Sequence, residues 1–259
     1  MLDQATIDRL RQLRLTGMAE ALQAQIDSPA QYQELSFEER LGLLVDREWN
    51  WREDRRVKRL LKGAKLRLAA CVENIDFHAP RGLDRGQITS LAGCDWIRNH
   101  RNVLISGATG TGKTFLLCAL ANAACRQGFS SRYWRLPSLL SEMAASRADG
   151  NYIRLLGQLS RVDVLILDDW GLSTFTGAQV LDLMDVVEER SERRSTMAAS
   201  QLPLEHWHAA LPDPTVADAI MDRLIHNAYK FTLRGESMRR VRAATNQDGD
   251  DGGHGQQKS

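Results

Sequence analysis

Residues 106–115, SGATGTGKTF, are the feature that most limits how this chain can fold. From Gly107 to Thr114 the stretch matches the pattern GxxxxGKT. An apolar segment of strand length, 102–106, precedes it, and a helical pattern over 113–127 follows it. A glycine-rich turn between a strand and a helix is typical of a P-loop, whose backbone N–H groups converge on the phosphates of a nucleotide. The motif therefore predicts a nucleotide-binding α/β domain.

The residues of this loop have separate predicted tasks. The Lys113 amine reaches the β- and γ-phosphates in P-loop proteins, and the Thr114 hydroxyl is a Mg²⁺ ligand. We therefore expect ATP and Mg²⁺ as ligands. The predicted nucleotide-binding residues are Gly107, Ala108, Thr109, Gly110, Thr111, Gly112, Lys113 and Thr114.

A second motif, VLILDD over residues 164–169, ends a continuous apolar run with two carboxylates. Such a run is typical of a strand that is buried on both faces of a parallel sheet. In P-loop proteins an aspartate at this point helps to hold Mg²⁺, and Asp168 is predicted to do so beside Thr114. Asp169 is then predicted to polarise the attacking water.

The rest of this half of the chain alternates between strand and helix patterns. Further strands are predicted over 131–136, 162–167, 196–200 and 230–234. Alternation of this kind predicts a parallel sheet with helices on both faces, which is an α/β architecture.

The chain divides into four predicted regions. Residues 1–70 follow helical patterns and form a small all-α N-terminal domain. Residues 71–100, which Asn74, Pro80, Gly82, Gly86 and Gly93 punctuate, are interpreted as a linker with a short helix, and the stretch 77–88 within it is a plausible place for the adenine. Residues 101–245 form the P-loop domain. Residues 246–259 have almost no apolar content and are predicted to be a disordered tail.

A basic helix ends the N-terminal domain. Ser36 and Glu39 predict its start through a capping box. Residues 51–68 hold eight Lys or Arg and two acidic residues, with an apolar stripe on the other side. This basic face could be a solvated surface or a contact for DNA phosphates, and a membrane surface is a weaker option because the stripe has to pack within the domain. The candidate DNA-binding residues are Arg52, Arg55, Arg56, Arg59 and Lys62.

Composition narrows the classes of protein only slightly. The net charge of +1 does not by itself indicate a nucleic-acid partner. The four cysteines lack metal-ligand spacing and are expected to be buried thiols in a reducing compartment. There is no apolar run long enough to span a membrane and no apolar core of a signal peptide. A cytoplasmic protein without membrane contact is expected.

Five stretches carry a resemblance to a known family. They read LRLTGMAEAL, GATGTGKTFL, LILDDWG, SQLPLEHWH and DAIMDRLIHNAYKFTLRGESMRR, and the resemblance covers nearly all of residues 1–245. The chain resembles the IstB family of insertion-sequence helper ATPases, a branch of the AAA+ class that is related to DnaC-type helicase loaders. The resemblance implies an ASCE sheet with strand order 5-1-4-3-2 and no full lid domain. It also implies ATP-dependent oligomers on duplex DNA that work with a cognate transposase.

The same resemblance implies further site residues. Ser200 and Gln201 match the sensor-1 position, where many AAA+ proteins have Asn, so the choice between these two side chains stays open. Arg223 matches an arginine finger, which would enter the ATP site of a neighbouring subunit. Arg239 resembles a sensor-2 arginine. A surface ion pair is the alternative role for both arginines.

One departure from the AAA+ pattern bears on the rate of ATP hydrolysis. Many AAA+ ATPases carry Asp-Glu where this chain carries Asp168 and Asp169. The Asp169 carboxylate is one methylene shorter, so it would orient water less well. We therefore hypothesise slow hydrolysis, with ATP acting mainly as an assembly switch. The alternative function is a DnaC-like replicative helicase loader, whereas no sequence feature points to a metabolic P-loop kinase.

Overall fold

The computed structural model describes the backbone of residues 2–238 and the side chains from Gln4 onward. Arg239 and the predicted tail, residues 246–259, lie outside the described residues. The chain forms two compact units, of which the first covers Met1–Leu60 and the second begins at Leu61.

The N-terminal unit is helical. Its helices are α1 (Leu2–Gln12), α2 (Thr16–Asp27) and α3 (Phe37–Ala64), with a short 3-10 turn at Pro29–Tyr32. The predicted capping box at the start of α3 is confirmed, because the Glu39 N–H donates to Ser36 Oγ at 3.2 Å and the Ser36 N–H donates to Glu39 Oε2 at 2.7 Å.

A glycine allows α2 and α3 to approach closely. A Cβ atom at Gly17 would lie 2.7 Å from the Arg47 carbonyl oxygen and 2.8 Å from Glu48 Cα, so any side chain there would separate the helices. Beside it, the Met18 N–H donates to the buried Glu48 carboxylate at 3.2 Å. This contact fixes which face of α3 points toward α2.

The second unit is an α/β sheet domain. Its strands are β1 (Asn102–Gly107), β2 (Ser131–Arg135), β3 (Val164–Trp170), β4 (Ser195–Ser200) and β5 (Ala228–Leu233). Its helices are α4 (Arg85–Ala92), α5 (Asp95–Arg98), α6 (Lys113–Arg126), α7 (Leu136–Ala148), α8 (Tyr152–Arg161), α9 (Gly177–Arg190) and α10 (Pro214–Ile225). Short 3-10 turns lie at Val72–Asn74 and Leu204–His206.

All strand pairs in this sheet are parallel, and their spatial order is β2-β3-β4-β1-β5. Read from the other edge, this is 5-1-4-3-2, so the expected strand order is confirmed. The α/β class with flanking helices is confirmed as well.

Two apolar cores cover the two faces of the sheet. Along β1, Val103 and Ile105 belong to the core beneath α6, whereas Leu104 belongs to the core beneath α7, α9 and α10. In β3, Ile166 and Leu167 divide between the two cores in the same alternating way. The central strands therefore read as continuous apolar runs because neighbouring side chains are buried on opposite faces.

Residues 71–100 contain more regular secondary structure than the linker with one short helix that the sequence indicated. They carry α4 and α5. Ile88, Trp96 and Ile97 are buried in the same core as the α6 residues. Helices of one or two turns supply too few apolar positions for a clear period, and frequent glycines disguise them further.

Candidate functional site

The loop between β1 and α6 has the backbone of a P-loop. Gly107, Gly110 and Gly112 have φ angles of 148°, 88° and 101°, a region that side chains with a Cβ rarely adopt. A Cβ at Gly107 would also collide with the Leu233 carbonyl at the end of β5. The glycines are therefore required both by the turn and by the strand beside it.

A cavity of about 350 Å³ lies over this loop. The Lys113 amine donates to the Gly107 and Ala108 carbonyls at 2.6 and 2.8 Å, so it is held above the loop backbone. Burial lowers the pKa of this amine, while the Asp168 and Asp169 carboxylates act in the opposite direction. The cavity is lined by Arg67, Leu68, Asn74, Asp76, Arg81, Thr109, Gly110, Gly112, Lys113, Thr114, Phe115, Arg135, Asp169, Gln201 and Met238.

The structure brings Thr114 and Asp168 together. Oδ2 of the buried Asp168 accepts hydrogen bonds from Thr114 Oγ1 at 2.7 Å and from the Tyr133 hydroxyl at 2.8 Å. Burial and the neighbouring Asp168 raise the pKa of Tyr133, which therefore stays a protonated donor. A hydroxyl and a carboxylate next to the phosphate loop are the oxygen ligands that Mg²⁺ takes in such sites, so these residues fit the metal.

Asp169 lines the cavity and has an unusual backbone conformation. Its φ is 64°, and the β3–β4 register shifts between Leu167 and Trp170. Its Oδ2 accepts from Arg135 Nε at 2.7 Å, and Arg67 Nη1 lies 3.8 Å away. The carboxylate predicted to polarise water is thus paired with cations from β2 and from the segment after α3.

Ser200 and Gln201 have different surroundings. Ser200 is fully buried: its hydroxyl donates to the Trp170 carbonyl at 2.7 Å and accepts from the Leu202 N–H at 2.9 Å. Gln201 lines the cavity, and its Oε1 accepts from Thr109 Oγ1 of the loop at 2.7 Å. The geometry therefore favours Gln201 over Ser200 as the polar group that faces a bound nucleotide.

Arg223 lies outside the cavity of its own chain. Its backbone carbonyl accepts from Asn102 Nδ2 at 3.2 Å, at the amino-terminal end of β1, whereas the P-loop follows the carboxyl end of that strand. Its Nε is 2.5 Å from Glu188 Oε2 of α9. Arg223 therefore lies near the amino-terminal ends of the strands, whereas the nucleotide loop lies at their carboxyl ends.

Residues that precede β1 in the chain also line the cavity. Asn74, Asp76 and Arg81 line it, and of these only Arg81 falls in the stretch that the sequence suggests for adenine, 77–88. The Arg81 guanidinium donates to the carbonyls of Thr111, at 3.4 Å, and of Asp76. These bonds attach this segment directly to the phosphate loop.

The five candidate DNA-binding residues are exposed on α3. Arg52 Nε is 2.6 Å from Glu48 Oε1, Arg56 lies 3.5 Å from Glu53, and the Arg55 guanidinium stacks 4.6 Å above the Trp51 ring. The Arg56–Glu53 pair is exposed on both sides and contributes little to stability, so Arg56 is able to exchange partners, whereas the Glu48 partner of Arg52 is buried.

Sequence reasoning did not assign Arg67, Tyr133 or Arg135 to the site. Tyr133 and Arg135 lie on β2, where Arg135 is in register with Asp168. That register is not visible in a sequence, although strand order 5-1-4-3-2 already makes β2 and β3 neighbours. Arg67 was counted only among the charges of the basic stretch, but the chain leaves α3 after Ala64 and Lys65 has a φ of 49°.

Two other kinds of site are absent from residues 2–238. In this part of the chain no group of three or more His, Cys, Asp or Glu side chains could hold a metal ion. No helix in the same residues is long and apolar enough to cross a membrane.

Solved structures share the fold. The chain is similar to DnaI, with a TM-score of 0.56 at 22% identity over 68% of this chain and 94% of that one. It is also similar to the DnaC helicase loader, with a TM-score of 0.55 at 14% identity over 66% of this chain and 100% of that one. At these identities the likeness shows the fold alone.

Sequence relatives are closer. An insertion-sequence ATP-binding protein of Sinorhizobium fredii is 47% identical over 93% of this chain and 98% of its own length. The ATP-binding protein of insertion sequence IS1162 from Pseudomonas fluorescens is 50% identical over 78% of this chain and 88% of its own length. The profile of the IstB-like ATP binding protein family matches residues 8–245. This chain therefore belongs to the IstB-like family of ATP-binding proteins.

Proposed function

We propose that this protein is an ATP-dependent, DNA-binding transposition helper that oligomerises on duplex target DNA and recruits or stimulates a cognate transposase. One observation carries the proposal: Arg223 lies near the amino-terminal end of β1, whereas the P-loop follows the carboxyl end of the same strand. A cation that acts on ATP from that position has to enter the site of a second copy. The family assignment to insertion-sequence proteins supports transposition as the process served.

Within one chain, the cavity supplies the groups that bind and orient ATP. Lys113 exchanges its two carbonyl partners for phosphate oxygens, which are stronger acceptors because they are charged. Thr114 and Asp168 would hold Mg²⁺, which neutralises charge on the β- and γ-phosphates. Gln201 lines the cavity and accepts a hydrogen bond from Thr109 of the loop, and it is proposed as the sensor-1 side chain.

Hydrolysis is proposed to be slow and to set the lifetime of the assembly. Asp169 has the short side chain, and Arg135 already holds its carboxylate at 2.7 Å. A carboxylate that is held in a short ion pair accepts a proton from water less readily, because its contact with the arginine has to loosen first. ATP therefore acts mainly as a switch between assembled and released states.

Arg223 is proposed to act in trans. Within one chain the Arg223 guanidinium pairs with Glu188 and donates to the Ala219 carbonyl, and it is proposed to leave these partners when the nucleotide of a neighbouring copy competes for it. In the ATP site of the neighbouring copy, the guanidinium would stabilise the negative charge that develops on the transferring phosphoryl group. Oligomerisation and hydrolysis therefore depend on the same side chain.

Duplex DNA is proposed to contact the basic face of α3. The five exposed Lys and Arg side chains there suit phosphate contacts, which hold the backbone and carry no sequence information. Binding through them should weaken steeply as salt rises. This arrangement suits a helper that marks many different target sites.

The alternative function is a helicase loader that grips a replicative helicase through its N-terminal unit. The fold likeness to the DnaC helicase loader is the observation in its favour. The two functions predict different partners: long duplexes for the helper, and single strands or a helicase for the loader.

Electron microscopy of the protein on long duplex DNA, with ATP, with ADP and without nucleotide, separates these functions. Regular clusters that need ATP are expected, and Lys113→Ala should abolish them. Arg223→Ala should keep ATP binding but lose the clusters and hydrolysis. The control Arg126→Ala removes an ion pair of similar length, in which Arg126 Nη1 lies 2.6 Å from Glu73 Oε1. It should change neither the clusters nor hydrolysis. Binding restricted to single strands or to a helicase would overturn the helper in favour of the loader.

A further inference from the structure

The segment that follows α3 brings a cation into the nucleotide cavity. α3 ends at Ala64, Lys65 has a φ of 49°, and Arg67 and Leu68 then line the cavity. Arg67 belongs to the same compact unit as the P-loop. Although it stands in the basic stretch of the sequence, Arg67 is therefore part of the nucleotide site and not of the basic face of α3.

The backbone of this segment is attached to the helix that carries the P-loop lysine. The backbone amides of Arg67 and Leu68 contact the sulfur of Cys118, which is buried in α6. Just before them, the Gly63 carbonyl accepts from Arg132 Nη1 of β2 at 3.1 Å. These contacts hold the backbone, so the Arg67 side chain reaches the cavity from a defined position.

The Arg67 guanidinium lies beside the residues that fit Mg²⁺. Its Nη1 is 3.8 Å from Asp169 Oδ2. A hydrogen bond with the Tyr133 hydroxyl, helped by the charges of Asp169 and Asp168, raises the pKa of Arg67, which stays cationic. Tyr133 in turn donates to Asp168 Oδ2 at 2.8 Å. Because the metal of such sites bridges the β- and γ-phosphates, a cation that shares these partners faces the phosphates and not the base.

Four cations line the described cavity, and Arg67 has the longest ion pair among them. Lys113 donates to two loop carbonyls at 2.6 and 2.8 Å, and Arg135 Nε is 2.7 Å from Asp169. Arg81 donates to two backbone carbonyls. A pair at 3.8 Å that involves a half-exposed side chain contributes little to stability, so Arg67 is able to change partner while Asp169 keeps Arg135.

We propose that Arg67 binds the γ-phosphate of ATP within its own chain and makes the site prefer ATP to ADP. A guanidinium has five N–H donors, so it can hold a phosphate oxygen and keep its contact with Tyr133. ADP lacks the group that Arg67 would bind. Arg67 thus differs from Arg223, which is proposed to act on the nucleotide of another copy.

This inference deepens the proposed function and rests on it in one respect. A protein that uses ATP as a switch between assembled and released states has to bind ATP and ADP with different affinity. A ligand shifts such an equilibrium only by its differential affinity for the two states. Arg67 would supply the contact that one nucleotide makes and the other does not.

Nucleotide affinities measured by calorimetry without DNA test the inference. The two ligands are ADP and an ATP analogue with an imido group between the β- and γ-phosphorus atoms, each with Mg²⁺. Arg67→Gln should weaken the analogue about tenfold and leave ADP within about twofold of the wild type. Arg67→Lys keeps the charge and should recover part of the loss. The matched control Lys65→Gln removes an exposed cation two residues away, outside the cavity lining, and should change neither affinity.

The two ligands together separate a phosphate contact from a structural role. Retained ADP affinity shows that the Arg67→Gln site is folded. An equal loss for both nucleotides would make Arg67 a structural residue and overturn the inference. Unchanged affinity for the analogue would overturn it as well, and so would an equal loss in Lys65→Gln, which would reflect general charge instead of a contact.

A structure of the complex with Mg²⁺ and the same analogue locates the side chain. A guanidinium nitrogen of Arg67 should lie within hydrogen-bond distance of a γ-phosphate oxygen. A guanidinium that still contacts Asp169 and touches no phosphate would refute the proposal.

Failure of this inference and failure of the proposed function are distinguishable. The affinities are measured without DNA, so they do not depend on whether the wild-type protein forms clusters on duplexes. If those clusters form with ATP while Arg67→Gln keeps its full preference for the analogue over ADP, the Arg67 contact is wrong and the helper function stands. Loss of that preference in Arg67→Gln supports the contact even if the clusters never form.

Discussion

The nucleotide cavity and the exposed side of α3 both carry many charged residues, but they arrange them differently. In the cavity, Lys113, Asp168 and Asp169 each have a close partner within the same domain. On α3, the arginines are exposed and their ion pairs join neighbours on the same helix. A preformed set of short bonds suits a small ligand of fixed shape, whereas movable surface cations suit a long charged polymer. The two regions should therefore respond differently to substitution.

The largest effect should come from Lys113→Ala in the cavity. The substitution removes the only lysine that lines the described cavity, and charge-assisted bonds to phosphate are among the strongest hydrogen bonds in proteins. ATP affinity should fall on the order of 100-fold, which corresponds to about 2.7 kcal/mol. Titration with a fluorescent ATP analogue measures it. Lys58→Ala on α3 is the control, and an equal loss there would contradict the division between the two regions.

Asp168→Asn should have the next largest effect. The amide keeps the size of the side chain but removes the negative charge that would balance Mg²⁺. The tightening of nucleotide binding by Mg²⁺ should shrink by about 10- to 100-fold, while affinity in EDTA should change little. Paired titrations with Mg²⁺ and with EDTA measure this difference. An unchanged response to Mg²⁺ would remove Asp168 from the metal site.

On α3, substitutions should act on DNA and leave ATP affinity intact. Arg55→Ala and Arg59→Ala should each weaken duplex binding several-fold, to a similar extent on unrelated sequences, and lower the slope of log affinity against log salt by about one. Fluorescence anisotropy over a salt series measures both quantities. Arg161→Ala is the matched control, because this arginine is exposed at the end of α8. A change in sequence preference would argue against phosphate contacts.

The smallest of these effects should come from Tyr133→Phe. It removes one hydrogen bond to Asp168 Oδ2, and Thr114 still donates to the same atom. The Mg²⁺-dependent part of ATP affinity should fall a few-fold, in line with a net loss of about 1 kcal/mol. The same paired titrations resolve it. Tyr229→Phe, whose hydroxyl lies 3.3 Å from Arg101 on an exposed surface, is the control and should behave as the wild type.

The same division explains how much the sequence could predict. The P-loop is a local motif, and its shape follows from glycines whose φ angles no other residue adopts easily, so its ligand could be read from ten residues. The strand pattern and the capping box at Ser36 are local too. Strand order came from the family resemblance, since periodicity contains no information about which strands are neighbours.

Contacts between distant segments could not be predicted. Arg135 meets Asp169 only because β2 lies beside β3 in a particular register. The choice between Ser200 and Gln201 depends on which side of a strand end each residue faces, and a shift of one residue would reverse it. The role of the basic stretch stayed open for a different reason: an exposed cationic helix face has the same composition whether it meets solvent or DNA.

The contact between Gly107 and Leu233 has a consequence for the shortest chain that can bind nucleotide. Both known motifs, the P-loop and the Asp-Asp pair, are complete by Asp169, which suggests that an amino-terminal fragment would suffice. However, the carbonyl of Leu233 lies where a Cβ of Gly107 would be. The edge strand β5 therefore packs directly against the start of the phosphate loop and helps to set its conformation. A truncation that ends before residue 228 would keep every signature residue up to Gln201 and still leave the phosphate loop without its support.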